Sequence, residues 1–409
     1  DPAQEYFSDG MTEEIIGKLA SVEGLRVISR TTVEHHKDSG MDIPDIAREL
    51  DVGFILEGSV RKSANRVRIT ALLIQTSDDS HLWARNFDAN LDDIFTVQET
   101  VARQIVESLG VHLSDTVAKA LAQRPTDNVS AYDAYLQGQA LVERWNFREM
   151  LDSSRTYFNQ ALTLDPNFAN ALAGLASVEA QTFRNFDADP ERLRRADELL
   201  DRALALQPEL VRAIMARGEL LVVRYQYPAA TEQFRRAVEL EPENYFAWDL
   251  LCWSLAYETP SKGEEAEAAC RTGLRIAPQY GEFYYHLSRA LVVQGKFDEA
   301  RRSINEMRSI WPDADLPNLG LFWIYLGEKN YAEALALLAG QSQTPLILAA
   351  SAAVHSGSGN TDAAIELLDE ALGNGFRDIA WLEASEHFAN VRALPAYRDL
   401  LVKHGLADM

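Results

Sequence analysis

Cysteine is scarce in this sequence of 409 residues, and so are basic side chains and long apolar runs. Two cysteines are too few for a disulfide framework or a Cys-rich metal site. With 39 Lys and Arg against 62 Asp and Glu, the formal net charge of −23 disfavours binding to nucleic-acid phosphates and anionic lipid. No apolar run reaches the ~18 residues that a bilayer span needs. We therefore predict no nucleic-acid partner and no direct membrane insertion of this fragment.

Motifs that carry catalysis or hold a cofactor are also missing. The glycine-rich stretch at residues 357–360 falls between two predicted helices, where a turn is the simpler interpretation, and a nucleotide loop would need a strand before it. The adjacent His35 and His36 cannot share one face of a helix or strand, and no third ligand stands nearby. No serine stands in a nucleophile-elbow context. We predict no enzyme activity, no cofactor and no metal site.

The sequence does contain an internal repeat. Five prolines end similar apolar segments, and their successive spacings are 42, 34, 36 and 34 residues. A small residue recurs in the same register, with a large apolar residue four positions later, as a packed helix requires. The prolines are Pro166, Pro208, Pro242, Pro278 and Pro312; the small residues are Ser154, Ala196, Ala230, Ala266, Ala300, Ala334 and Ala364; the large ones are Phe158, Leu200, Phe234, Cys270, Ile304, Leu338 and Leu368.

The 34-residue period and these recurring positions resemble the tetratricopeptide repeat family over about residues 130–375. The resemblance predicts seven antiparallel helix pairs in a right-handed superhelix. The 42-residue spacing predicts an insertion at residues 183–190, in the turn of the second repeat. Residues 381–406 are predicted to form one more amphipathic helix, which caps the solenoid.

The first 125 residues have a different sequence pattern, in which short runs of β-forming residues alternate with helical patterns. We predict a helix through residues 12–20 capped by Ser8 or Asp9, a strand at Leu25–Ser29 and a short helix at residues 43–50. A hairpin follows, with strands at 54–60 and 67–74, then a strand at 81–87 and a long helix at 94–109. These elements predict an α/β domain with helices on a mixed sheet.

The fold class is therefore α+β overall, an N-terminal α/β domain with a mixed sheet followed by an all-α tetratricopeptide solenoid. The predicted domains are residues 1–125, residues 126–376 with about seven helix pairs, and C-terminal capping helices at 377–409. Five segments of the first domain closely resemble the TolB-like amino-terminal domain family. They are Tyr6–Ile15, Leu25–Arg30, Leu56–Ser63, Arg66–Ile74 and His81–Asp88.

In that family the domain commonly precedes tetratricopeptide repeats and follows a membrane span in bacterial adenylate/guanylate cyclases, serine/threonine kinases and winged-helix regulators. The resemblance implies the periplasmic, sensory part of a membrane-associated signalling protein. Because the sequence begins at Asp1 and not at Met, we expect that a membrane segment preceded it. A free-standing periplasmic assembly scaffold, a cytoplasmic location and a homodimer stay open.

The first helix of each pair lines the concave surface with which solenoids bind. A helix register with Trp248, Leu251, Cys252 and Leu255 buried turns a second set of side chains toward this groove. Aromatic residues and Arg are enriched at interface hot spots, so we predict a protein or peptide partner, while packing of these aromatics between repeats stays open. The predicted groove residues are Arg212, Met215, Glu219, Phe246, Asp249, Trp253, Tyr257, Tyr285, His286, Arg289 and Trp323.

The two cysteines, Cys252 and Cys270, fall at facing positions of the two helices of one predicted pair. We expect them to be neighbours. Helix packing rarely meets the geometry that a disulfide needs, so we predict two buried free thiols in contact. Oxidation to a disulfide would instead favour the periplasmic location.

Overall fold

The structure is a computed structural model that describes residues 5–406 except 21, 23, 29, 31–32, 34–35, 37–39, 64, 143–147, 188, 259, 313–315, 340 and 342–343. The chain divides into two compact units. Unit 1 comprises residues 1–220 and 233–247, and unit 2 comprises residues 221–232 and 248–409. Within the described residues, no helix combines the length and apolarity that crossing a bilayer requires.

Unit 1 begins with a small sheet and four helices. Its three strands pair antiparallel in the order β1–β2–β3. The predicted hairpin and third strand are confirmed, whereas the mixed sheet is wrong, since short turns join consecutive strands without the helical crossover that a parallel pair needs. The elements are α1 Glu5–Ala20, α2 Ile43–Leu50, β1 Phe54–Ser63, β2 Arg66–Gln75, β3 Ser80–Asn90, α3 Ile94–Ser108 and α4 Asp115–Ala122.

Two predictions at the start of the chain are wrong. Residues 25–28 are not a strand, and residue 29 lies outside the described part. Leu25 and Val27 instead pack against the core of unit 1, and Arg26 donates to the carbonyl oxygens at the end of α2. Ser8 and Asp9 are not helix caps, because α1 already includes them; its buried face begins at Phe7.

In the described part of residues 129–373 the chain is helical and contains no strand. Fourteen helices follow one another in seven consecutive pairs. They are α5 Val129–Val142, α6 Arg148–Leu164, α7 Ala169–Asn185, α8 Pro190–Leu206, α9 Val211–Val223, α10 Tyr227–Leu240, α11 Tyr245–Glu258, α12 Gly263–Ile276, α13 Gly281–Val293, α14 Phe297–Ile310, α15 Leu316–Gly327, α16 Tyr331–Leu338, α17 Pro345–Gly357 and α18 Thr361–Gly373.

The packing of these helices confirms the register taken from the repeat. All seven recurring small residues, from Ser154 to Ala364, have an exposed fraction of 0%, and the seven large residues that follow them are buried as well. Each of the five recurring prolines, from Pro166 to Pro312, stands two residues beyond the end of a helix. A tetratricopeptide-like helical repeat is therefore present.

The second repeat takes up its extra residues in longer helices. Helices α7 and α8 each have 17 residues, whereas α9 has 13 and α10 has 14. Of the insertion predicted at 183–190, residues 183–185 belong to α7 and Pro190 begins α8, so a short turn remains between the two helices.

The core of unit 1 joins the N-terminal elements to the first helix pair. Phe7 and Met11 on α1 belong to the same buried cluster as Ile94 on α3, Tyr132 on α5 and Phe158 on α6. The predicted domain boundary at residue 125 thus lies inside one compact unit, and the domain limits stay predictions.

Unit 2 ends in three short helices, α19 Ile379–Ala384, α20 Ala389–Arg392 and α21 Pro395–Lys403. The single amphipathic helix predicted for residues 381–406 is wrong, since the chain leaves helical geometry at Ser385 and begins a new helix at Pro395. Its predicted apolar face is nevertheless largely buried in the core of unit 2, including Phe388, Val391 and Tyr397.

The cysteines of unit 2 are bonded to each other. Cys252 on α11 and Cys270 on α12 form a disulfide with their Cα atoms 5.1 Å apart. The predicted proximity is confirmed and the predicted free thiols are wrong, because this helix pair brings the two Cα atoms within the ~4.4–6.8 Å that a disulfide spans.

Candidate ligand site in unit 2

Three first helices of unit 2 direct a set of polar and aromatic side chains toward one another. On α11, Asp249, Trp253 and Tyr257 stand four residues apart and therefore share a face. On α13, His286 and Arg289 stand three residues apart, which also places them on one face, and α15 contributes Trp323. Ring contacts and hydrogen bonds between these helices show that the repeat register places the side chains together.

Arg289 lies between two aromatic rings from the neighbouring helices. Its guanidinium carbon is 4.3 Å from the ring centroid of Tyr257 and 3.9 Å from that of Trp323. The Trp323 indole N–H donates to the Tyr285 hydroxyl at 3.2 Å, and the hydroxyls of Tyr285 and Tyr257 are 3.0 Å apart. A cation between two aromatic faces is attracted by both rings, which stabilises this arrangement of side chains.

Tyr227 and Asp378 adjoin this cluster, and the sequence analysis missed both. The Tyr227 ring stacks on the ring of Tyr257, with centroids 6.1 Å apart, and its hydroxyl donates to Asp378 Oδ2 at 3.3 Å. Burial raises the pKa of the Asp378 carboxyl, and the Arg289 charge opposes that shift. Tyr227 begins a second helix and Asp378 lies after the last pair, so no first-helix pattern could have found them.

The other half of the site is acidic and incompletely bonded. Asp249 is 5% exposed and His286 is 8% exposed. The Asp249 Oδ1 atom is 3.8 Å from His286 Nε2, which is too far for a hydrogen bond. Asp249 Oδ1, His286 Nδ1 and Oε2 of the half-buried Glu282 are buried atoms without hydrogen-bond partners. Such atoms are rare in folded proteins because each loses its hydration without replacement.

Burial dominates the titration of these three groups. It raises the pKa of the Asp249 carboxyl well above its usual range, and the neighbouring charge of Glu282 adds to the shift. Burial also raises the pKa of Glu282 to about 7. The pKa of His286 falls to about 3, first through burial and then through the Arg289 charge. At neutral pH the imidazole is therefore neutral, and the Glu282 carboxyl is partly protonated.

The four remaining predicted groove residues lie in unit 1. Arg212 Nη2 is 3.9 Å from Glu13 Oε1, and Glu219 accepts a hydrogen bond from the Ser177 hydroxyl at 3.0 Å. Met215 and Phe246 are half-buried. A single groove that contains all eleven predicted residues stays a prediction.

The described residues contain no group of three or more His, Cys, Asp and Glu side chains placed to hold a metal ion. Of the adjacent histidines, His35 lies outside the described part, and His36 has its Nε2 atom 4.0 Å from Glu49 Oε1.

Comparison with known proteins gives partial matches. No family model matches the chain. Over 206 residues, half of the chain, it is 37% identical to a Rhizobium meliloti protein named "Putative adenylate cyclase 3", and it spans 35% of that protein's length. Over 72 residues, 18% of the chain, it is 35% identical to the Sinorhizobium fredii "Uncharacterized protein y4yS", of which the match covers 40%.

Among solved structures, the chain is similar to a tetratricopeptide repeat protein from Parabacteroides merdae, with 14% identity and a TM-score of 0.46. That match covers 64% of this chain and 99% of the other. It is also similar to PilW, a type IV pilus biogenesis factor, with 18% identity and a TM-score of 0.40, over 51% of this chain and 91% of PilW.

Proposed function

We propose that this chain is a non-catalytic protein- or peptide-binding region of a bacterial membrane-associated signalling protein, and that it binds through the first helices of unit 2. The observation that carries the proposal is the convergence of Trp253, Tyr257, His286 and Arg289 beside Asp249 and Glu282, each of which has one buried carboxyl oxygen without a hydrogen-bond partner. Aromatic and Arg anchors with unsatisfied polar groups are features of a recognition site.

The proposed signalling context rests on the sequence. The similarity to the Rhizobium meliloti protein named "Putative adenylate cyclase 3" is in line with a sensory region attached to an output domain. The resemblance of residues 4–112 to TolB-like domains supports the same context. In this proposal, a membrane segment ahead of the fragment tethers it.

The disulfide supports a periplasmic location. Disulfides persist in oxidising compartments such as the bacterial periplasm, and they are rare where glutathione and thioredoxin keep thiols reduced. The bond between Cys252 and Cys270 is buried in one helix pair, where both side chains have an exposed fraction of 0%.

Display of random peptides against the full chain, with the disulfide intact, tests the proposed function. Peptides that bind should lose ~10-fold or more in affinity to Tyr257→Ala and Trp253→Ala variants, since truncation of a hot spot costs ~2 kcal/mol. Tyr325→Ala is the matched control, because Tyr325 is also a half-buried aromatic of unit 2 but stands outside the cluster. Equal binding by all three variants would place the binding site elsewhere.

A further inference from the structure

Asp249 and Glu282 stand four residues before Trp253 and His286, whose rings are in contact, so the two acids occupy neighbouring positions one turn earlier on adjacent first helices. The charge of Glu282 acts on Asp249 and repels it, and no Lys or Arg in the described part of unit 2 forms an ion pair with either acid. Each carboxyl also has a buried oxygen without a hydrogen-bond donor. Two buried acids in this arrangement are costly to ionise together unless a positive charge joins them.

The surroundings of the acid pair favour a cation over a neutral or anionic group. His286, whose Nε2 atom lies near Asp249, is neutral at physiological pH and does not compete for the site. The Nδ1 atom of His286 is a further buried polar atom without a hydrogen-bond partner, and a ligand could supply that partner. The half-buried Trp253 stacks on the His286 ring, with centroids 6.2 Å apart, which adds an aromatic side chain of the kind that attracts cations to the surroundings of the acids.

The fixed cation of the cluster occupies a separate position. Arg289 is held by Tyr257 and Trp323, and Asp378 lies within reach of its charge. The net charge of −23 also favours encounter with a basic partner.

We propose, resting on the peptide-binding function above, that Asp249 and Glu282 together receive one positively charged side chain, a lysine ammonium or an arginine guanidinium, of a bound peptide, with Trp253 beside its aliphatic stem. Two carboxylates from adjacent helices supply acceptors for the several N–H donors of such a group. The ligand of this site is therefore a basic peptide segment.

Small cations that imitate the two side chains test the inference directly. The full disulfide-bonded chain is titrated with n-butylammonium and n-propylguanidinium chloride, followed by the indole N–H shifts of its tryptophans. Sodium butyrate and n-butanol are the anionic and neutral controls. We expect the cations to bind at least ~10-fold more tightly than n-butanol, about the gain of one well-placed ion pair.

The variant Asp249→Asn/Glu282→Gln should abolish this preference, since it keeps the shape of both side chains and removes their charge. The matched control, Glu264→Gln/Glu306→Gln, removes the same charge from exposed positions of unit 2 and should bind like the wild type. Equal binding of cations and n-butanol by the wild type would overturn the inference, as would unchanged binding to the first variant.

Peptides obtained by display separate this inference from the proposed function. If they bind through Tyr257 but tolerate replacement of every Lys and Arg by norleucine with less than ~3-fold loss, peptide binding stands and the cation subsite fails. If no displayed peptide depends on Tyr257 or Trp253, the proposed function itself fails.

Discussion

Each unit contains a buried acid on the first helix of a repeat, and the two acids have opposite surroundings. Glu179 on α7 of unit 1 is 4% exposed and accepts from Arg155 at 2.7 Å, Arg192 at 2.8 Å and Arg195 at 3.3 Å. Asp249 on α11 of unit 2 is 5% exposed and has no Lys or Arg partner in the described part of the chain. The repeat tolerates the buried Glu179 because the chain supplies its counter-charge, whereas at Asp249 we infer that a bound ligand supplies it.

The largest expected difference between the two units is in the change of unfolding free energy when each buried acid is replaced by its amide. Glu179→Gln leaves three arginines without their shared anion, and we expect a loss of ~3 kcal/mol in the free energy of unfolding. Asp249→Asn removes a buried carboxyl without a counter-charge, so stability should stay the same or rise by ~1 kcal/mol. Urea unfolding at pH 7 measures both, with the exposed Glu191→Gln as control. Similar losses in both variants would remove the contrast between the units.

Reduction of the disulfide should act on unit 2, which contains both cysteines of the chain. The bond closes a segment with a sequence separation of 18 residues and should contribute ~3 kcal/mol by restricting the unfolded chain. Urea unfolding with and without dithiothreitol gives the difference, and a Cys252→Ala/Cys270→Ala variant should not respond to the reductant. The cost of Glu179→Gln should be the same in both conditions. Thiol counting on denatured, non-reduced protein should find no free thiol, and two free thiols would contradict the bond.

The acid pair predicts a pH dependence of stability in unit 2. The pKa of Glu282 is about 7 in the folded chain against a usual value of 4.5, so folding binds its proton more tightly. Its stabilising contribution is complete below pH 4.5 and is lost as the pH rises to about 7, by up to ~3 kcal/mol. His286 has the opposite sign, because its lowered pKa removes stability as the pH falls below 6.5.

The difference between wild type and Glu282→Gln isolates the Glu282 contribution, since the neighbouring groups Asp249, His286 and Arg289 are present in both. Relative to the variant, the wild type should lose stability between pH 4.5 and 7 in urea titrations. A difference that does not change with pH would show that Glu282 titrates as an exposed acid.

The sequence predicted what depends on local periodicity. Ala300 and its counterparts recur at one helical register, and that register alone requires them to be buried, as they are. The sheet order, the breaks in the C-terminal segment and the disulfide depend on contacts that periodicity does not encode. The alternation of apolar residues at 25–28 predicted a strand. Leu25 and Val27 instead bury their side chains by packing against the core of unit 1, without pairing to another strand.

The candidate site shows the same division. The first-helix register brought Asp249, Tyr257, His286 and Arg289 to one face, because a spacing of three or four residues fixes direction along a helix. Whether a charge on that face has a partner is a matter of neighbouring helices, so the sequence did not distinguish the open acid pair from the Arg212 side chain, which lies near Glu13. Asp378 lies after the last helix pair, so it has no equivalent position in the repeats from which its contact with Tyr227 could have been predicted.

The smallest expected effect concerns the arginines that lie over aromatic rings in the two units. Arg289→Lys keeps the positive charge near Asp378 but loses the planar stacking between Tyr257 and Trp323, which should cost ~1 kcal/mol. In unit 1 the Arg212 guanidinium lies 5.8 Å from the ring centroid of Tyr135, a longer distance, so Arg212→Lys should cost less than ~0.5 kcal/mol. Urea unfolding compares the two changes, and near-UV circular dichroism should show a change in the tryptophan bands for Arg289→Lys. Both substitutions conserve the positive charge. Equal costs would therefore mean that charge and not ring stacking holds Arg289 in place. The arrangement of Tyr257, Tyr285 and Trp323 would then depend on the hydrogen bonds among these three side chains.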